Sequence, residues 1–149
     1  MGSPAARRAE VSLPVQALAL RSVVPDSRAR LTPQRLLWHG QVRPSPQSQT
    51  YELRLAASPR RTPRITVTRP TLRPDEDGRL PHVYDDGSLC LSRPGDWYPH
   101  MLFTATFLPW ACEWLLFYEL WLATDLWFGD GPNHLDDASQ AALLHPFSA

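Results

Sequence analysis

The segment "TYELRLAA", residues 50–57, decides the fold, because its side chains alternate between apolar and polar along the chain. Tyr51, Leu53 and Leu55 fall on one side of the alternation, and charged residues fall on the other. A period of two is typical of a β-strand with one buried face. The segment therefore predicts a strand that packs its Tyr-Leu-Leu face on a core.

Two further segments with strand character flank this strand. "RLLWHGQVR" (35–43) precedes it, and "RITVTR" (64–69), which alternates Ile65 and Val67 with threonine and arginine, follows it. The connections between the three segments are short and rich in turn residues. Short connections of this kind favour an antiparallel meander.

Helical patterns lie on both sides of the meander. "PVQALALRSV" (14–23) predicts a short first helix that ends before Pro25. From Tyr98 onward the pattern is helical, and Pro109 is expected either to kink this helix or to start a second one. Aromatic residues recur there at steps of three and four, which we interpret as core packing against the sheet. They are Phe103, Phe107, Trp110, Trp114, Phe117 or Tyr118, and Trp121.

These elements predict an α+β fold, in which an antiparallel sheet is backed by a long C-terminal aromatic helix. The length of 149 residues fits one domain with its own core. We expect a loose tail over residues 1–12 and a single compact domain over 13–149. A further short amphipathic helix is expected near 134–144.

The charge is zero overall but is divided sharply between the two halves of the chain. Residues 1–73 hold 13 arginines and three acids, whereas residues 74–149 hold two arginines and 12 acids. This division predicts either a dipolar surface that docks a charged partner, or mutual neutralisation of the halves in the fold. Every basic residue is arginine and lysine is absent. The arginines are scattered without interleaved aromatic residues, so nucleic acid is not expected as a partner.

The two cysteines, Cys90 and Cys112, do not form a disulfide framework, and they fit a reducing compartment such as the cytoplasm. Without C-x-x-C spacing, no metal or other cofactor is expected. The long apolar run includes Glu113 and Glu119, and each carboxylate would cost roughly 2.5–3.5 kcal/mol at the centre of a bilayer. The run therefore predicts a buried helix, and a membrane is not expected as a partner.

The stretch between the meander and the aromatic helix, residues 70–99, is rich in proline and turn residues. It contains Cys90 in "LPHVYDDGSLCLSRPGDWYP" (80–99). Long irregular segments inside compact domains are more often functional than idle. Cys112, in contrast, falls within the helical pattern and is expected to be a buried, unreactive thiol.

"LPHVYDDGSLCL", followed by "WYP", resembles the active-site stretch of ubiquitin-conjugating enzymes, in which a Gly-x-Leu-Cys-Leu element precedes Trp-x-Pro and the main helix. The resemblance covers roughly residues 35–125, because the three strands upstream occupy the places of the first meander strands of that fold. It implies the ubiquitin-conjugating (UBC-like) fold. The matching positions are Pro81, Gly87, Leu89, Cys90, Leu91, Trp97 and Pro99.

Within that family, the run Trp-x-x-Glu-Trp-Leu-x-x-Tyr-Glu-x-Trp (110–121) is similar to stand-alone prokaryotic members. These occur in CBASS antiphage operons with cGAS-like nucleotidyltransferases. The resemblance implies that the nucleotidyltransferase is the partner. Its C-terminus would be joined to the cysteine as a thioester and then passed to an amine.

The resemblance implies that Cys90 is the nucleophile, since a thioester stays reactive toward amines while it resists water. His82 stands where the family has asparagine, and Leu80 where it has histidine. His82 is expected to donate to the oxyanion, or to act as a base; the alternative is that it only binds loop backbone. We expect the catalytic residues to be Cys90 and His82, with His100 and His134 as further candidates to line the site.

Residues around the cysteine have expected structural roles. Asp85 and Asp86 suit an ordinary turn better than a role with the acceptor amine. Trp97 and Tyr98 are expected to wedge the loop against the start of the helix.

Two other functions remain open. The first alternative to an acyl-carrier transferase is a catalytically silent variant that only binds ubiquitin-like or nucleotidyltransferase tails. The second is a cysteine hydrolase that uses Cys90 with His82 or His134.

Overall fold

The computed structural model describes residues 8–129. The helix predicted near 134–144 and the candidate His134 lie outside these residues. The described elements are α1 (Leu13–Val23), β1 (Arg28–Thr32), β2 (Arg35–Val42), β3 (Tyr51–Ala57), β4 (Arg64–Arg69), a 3-10 turn (Phe103–Ala105) and α2 (Phe107–Thr124).

The strands form one antiparallel meander in the order β1-β2-β3-β4. The first helix and the three predicted strands are confirmed, and so is the α+β class. Strand β1 was not predicted, because its sequence "RARLT" has no apolar face and all five of its residues are exposed. It is an edge strand whose backbone pairs with β2 alone.

The inner face of the sheet forms the core. Trp38 pairs with Leu55, and Leu55 pairs with Ile65, so that one cross-strand row of large apolar side chains is almost completely buried. This is the face that the alternation in "TYELRLAA" predicts. Burial of each such side chain contributes about 1.5–3 kcal/mol.

The outer face of the sheet is strongly basic. Its register places Arg28 beside His39 and His39 beside Arg54, and a second row carries Arg30 and Arg64. Of the three ion pairs within residues 8–129, only the pair between Arg64 and Asp86 joins the basic half of the chain to its acidic half. In the described part of the chain, ion pairing between the two halves is therefore slight.

Helix α2 begins at Phe107, nine residues later than the start predicted at Tyr98. The intervening residues form turns and the 3-10 segment, so the predicted start is wrong. Pro109 lies in the first turn of α2, where its missing N–H breaks no helical hydrogen bond, so Pro109 belongs to a helix start. No helix among residues 8–129 is long and apolar enough to cross a membrane.

Two buried polar contacts fix the helices in place. In α1, the Gln16 side chain is 1% exposed; its amide donates to Met101 O at 3.0 Å and accepts from Phe103 N at 2.8 Å. In α2, Glu119 accepts a hydrogen bond from the Tyr51 hydroxyl at 2.8 Å. Burial and this carboxylate together raise the pKa of Tyr51 far above its ordinary value. The Gln16 contacts join α1 to the segment that precedes α2, and the Glu119 contact holds α2 against β3 of the sheet.

Candidate active site

Residues 82–90 form a short β-hairpin that presents the cysteine. Cys90 N donates to His82 O at 2.8 Å and Tyr84 N donates to Ser88 O at 2.8 Å. Gly87 occupies the turn with φ 86°, a left-handed conformation that glycine adopts without strain. Because side chains alternate along a hairpin, those of Tyr84 and Cys90 share one face.

The hairpin is anchored on the edge of the sheet. Leu89 is buried in the core, and its N–H donates to Ile65 O of β4 at 2.8 Å. Within the turn, Asp86 accepts from Ser88 N at 2.9 Å and from Arg64 at 2.9 Å. The hydrogen bonds from Ser88, with the guanidinium nearby, lower the pKa of Asp86. The expected turn role of Asp86 is thus confirmed, and the loop is held at a fixed place beside β4.

Cys90 is half-buried and lines a cleft of about 320 Å³ between the hairpin and α2. Cys112 is fully buried in α2, and burial raises the pKa of its thiol to about 12. The expectation of an unreactive Cys112 is confirmed. Because the thiolate is the nucleophilic form of cysteine, Cys90 is the thiol of this chain with access to a substrate.

Tyr84 is a site residue that sequence reasoning missed. Its side chain shares a hydrogen bond with the side chain of Cys90, and this bond is the main cause of the raised pKa of Tyr84. The Arg64 guanidinium lies over the Tyr84 ring, 5.4 Å from its centroid. Only the hairpin register, which puts positions 84 and 90 on one face, could have identified Tyr84 as a neighbour of Cys90.

His82 lies in the same cleft as Cys90. Its backbone adopts φ 53°, an uncommon conformation for a residue other than glycine. The ring stacks on Trp127, with centroids 5.6 Å apart, and Trp127 in turn contacts Trp114 at 5.5 Å and Phe117 at 5.7 Å. Trp127 was also missed, since it follows the end of α2 and only the tertiary fold brings it to His82.

One face of α2 forms the opposite wall of the cleft. Trp110, Glu113, Trp114 and Phe117 follow the helical spacing of three and four and all line the cleft. Trp114 and Phe117 are also core residues, which confirms the packing role of the aromatic stripe. The same stripe therefore builds part of the site. Burial raises the pKa of Glu113 to about 7.

The remaining candidates lie elsewhere or have structural roles. Trp97 is buried against Phe107, the first residue of α2, as expected. Tyr98 is half-exposed and stacks on His100, with ring centroids 6.1 Å apart. His100 is not among the residues that line the Cys90 cleft.

A larger concavity, about 630 Å³, is lined by residues of the outer sheet face, including Arg28, His39 and Glu52. It holds no cysteine among its lining residues and therefore offers no thiol for acyl transfer. Within residues 8–129, no three histidine, cysteine, aspartate or glutamate side chains are grouped closely enough to hold a metal ion.

The fold and the site together define an α+β domain that presents an accessible cysteine on a hairpin beside an aromatic helix. The family model for the type II CBASS E2 protein matches residues 16–135, most of the chain. The chain belongs to this family, and the α+β architecture is consistent with the UBC-like fold. Membership implies an E2-like role in CBASS antiphage defence. No curated protein matches the chain.

Proposed function

We propose that this chain is an acyl-carrier transferase of CBASS defence. Cys90 Sγ accepts the C-terminal acyl group of the cGAS-like nucleotidyltransferase after a separate adenylating enzyme has activated the carboxyl group as an acyl adenylate or a thioester. The sulfur displaces the activating group (AMP or the donor thiol), forms a thioester, and passes the acyl group to an amine. The observation that carries this proposal is the access of Cys90 to the cleft, in a chain whose other cysteine is fully buried.

The neighbours of Cys90 suit acyl transfer. The Tyr84 side chain is hydrogen-bonded to that of Cys90, so the sulfur has a polar partner on the hairpin. His82 lies in the same cleft, where it has one of two roles in acyl transfer. It donates to the oxyanion of the tetrahedral intermediate, or it takes a proton from the incoming amine. Removal of one oxyanion donor typically slows an enzyme by about 100–1,000-fold.

The outer face of the sheet is the proposed docking surface for the nucleotidyltransferase. The described residues hold no ion-pair partner for Arg28, Arg30 or Arg54. Exposed arginines attract acidic surfaces over about 8–10 Å at physiological salt, so docking should be salt-dependent.

The test is co-expression of the chain with the cGAS-like nucleotidyltransferase of its operon, followed by non-reducing gels and intact-mass measurement. Wild type should give a covalent adduct that thiols release. Cys90→Ser should give an oxygen ester that thiols leave intact, and Cys90→Ala should give none. Cys112→Ala, which removes the buried thiol without burying an unpaired hydroxyl, is the matched control and should give the same adduct as wild type.

Other outcomes separate the alternatives. Stable co-purification without any adduct, unchanged in Cys90→Ala, would identify a binding module and contradict the proposal. Release of a shortened nucleotidyltransferase that depends on Cys90 and His82, with no adduct trapped in Cys90→Ser, would identify a cysteine hydrolase. Each result is read from the mass of the nucleotidyltransferase and of this chain.

A further inference from the structure

The wall of the cleft opposite Cys90 combines a carboxyl group with aromatic rings. Glu113 lies on the same face of α2 as Trp110, Trp114 and Phe117, and Trp127 closes the set from beyond the helix. Aromatic faces attract cations, and a carboxylate both attracts an ammonium group and accepts its proton. This composition differs from that of a purely apolar core, where a carboxyl group is rarely placed.

We propose that Glu113 and the surrounding rings form the acceptor subsite, which binds a primary alkylammonium group, such as a lysine side chain, and removes its proton. The inference rests on the proposed function, because it requires an acyl group on Cys90. The tryptophan walls hold the methylene chain and the cation, and Glu113 is the proton acceptor for the attacking nitrogen.

The environment of Glu113 suits this step. Burial raises the pKa of its carboxyl group to about 7, so that near neutrality the group exists in both forms. A base with a pKa close to the working pH is the most effective proton acceptor. Among residues 8–129, the other titratable or charged groups that line the cleft are His82, Cys90, Arg93 and Asp96. Arg93 and Asp96 are of opposite charge and are joined through Arg93 N at 2.7 Å from the Asp96 carboxylate.

The proposed step balances in atoms and charge. The ammonium group gives one proton to the Glu113 carboxylate, and the freed nitrogen pair forms a bond to the thioester carbonyl carbon. The tetrahedral intermediate then collapses as the carbon–sulfur bond breaks. The departing pair stays on Cys90 Sγ, which receives the second nitrogen proton through solvent. The products are an amide and the free thiol, and Glu113 returns its proton to solvent.

The test loads Cys90 without any activating enzyme. The full chain is incubated with a short glycine-ended peptide thioester of 2-mercaptoethanesulfonate, and the acylated protein is purified at low pH. Its discharge is then followed by mass spectrometry with n-butylamine or with hydroxylamine. Because the chain contains no lysine, transfer of the acyl group to its own side-chain amines cannot obscure the result.

We expect Glu113→Gln to load normally and to discharge to n-butylamine about 100-fold more slowly near neutral pH, the lower end of typical general-base effects. Hydroxylamine is already unprotonated at that pH, so its discharge should change little. The pH–rate profile with butylamine should lose its inflection near pH 7 in this variant. Glu113→Asp should recover part of the rate, and Trp110→Leu should weaken saturation by butylamine more than by methylamine.

Distinct results overturn distinct claims. Normal loading with an unchanged butylamine rate in Glu113→Gln would overturn the acceptor subsite and leave the acyl-carrier function standing. An equal loss with butylamine and hydroxylamine would also overturn it, because the residue would then be structural. Failure of folded wild-type protein to load at Cys90, with thiol access confirmed by alkylation, would overturn both proposals.

Discussion

Glu113 should make the protein less stable above neutral pH than it is in acid. The folded state raises the pKa of this carboxyl group from 4.5 to about 7, so between these values the folded chain holds a proton that the unfolded chain has released. The contribution of Glu113 to the free energy of unfolding therefore falls as the pH rises through this window, and it stays at its minimum above about pH 7. Full burial would make this loss about 3 kcal/mol. Since solvent reaches the half-buried side chain, we expect about 1–2 kcal/mol.

Glu113→Gln removes the ionisation and should recover this free energy at about pH 8. For a chain of this length the gain corresponds to a Tm increase of about 2–8 °C. Thermal or urea unfolding of the full chain at about pH 8 and pH 4.5 measures it, and the difference from wild type should vanish at the lower pH. Glu76→Gln, at an exposed position, is the control and should change Tm little at either pH. A Tm for Glu113→Gln equal to or below that of wild type at pH 8 would refute the reasoning.

Three further predictions follow from single contacts. Tyr84→Phe removes the hydroxyl that orients the Cys90 side chain and should slow loading of Cys90 from the peptide thioester about 5–10-fold, whereas the half-exposed Tyr98→Phe should not. Equal loading rates would show that this hydrogen bond does not position the sulfur. Gln16→Ala leaves Met101 O and Phe103 N unpaired in the interior and should lower the free energy of unfolding by about 1–3 kcal/mol in a urea titration. Gln41→Ala is the control, because the Gln41 side chain forms its hydrogen bond at the surface. The double variant Arg28→Ser, Arg54→Ser should bind the nucleotidyltransferase more weakly, and its Kd should depend less on salt concentration than that of wild type in a calorimetric titration. A wild-type Kd that does not change with salt would exclude docking through the basic face of the sheet.

Elements whose pattern reports burial could be predicted from the sequence. The residues of strand β3 alternate between apolar and polar because one face of the strand lies in the core. Strands β2 and β4 could be predicted for the same reason, since each also buries one face. Strand β1 has no buried face, so the alternation rule could not detect it. Its pairing is a backbone property, which is nearly independent of the side chains.

The start of α2 could not be placed from periodicity, because aromatic residues before Phe107 pack on the core without being helical. Trp97 and Phe103 are as buried as the core residues of the helix, although Trp97 lies in an irregular segment and Phe103 in the 3-10 turn. Hydrophobic spacing reports which side chains are inside, and it does not distinguish a helix from a compact turn of similar pitch.

Some residues of the candidate site could be predicted from the sequence and others could not. Cys90 and His82 could be chosen in advance from the local sequence and its resemblance to a family, and the structure places both in one cleft. Tyr84, Glu113 and Trp127 could not be chosen. The hairpin register brings Tyr84 to Cys90, and the packing of α2 and of the segment after it brings Glu113 and Trp127 into the cleft. Glu113 in particular reads as one polar position on an apolar helix until its neighbours are known.

Peptide mapping of the covalent adduct identifies the atom that carries the acyl group. The covalent product with the nucleotidyltransferase is isolated under non-reducing conditions, digested, and sequenced by tandem mass spectrometry. If Cys90 is the acyl carrier, the C-terminal carbonyl carbon of the nucleotidyltransferase is bonded to Cys90 Sγ in a thioester, which hydroxylamine cleaves. An adduct attached at any other residue, or one that persists in Cys90→Ala, would exclude Cys90 as the acyl carrier.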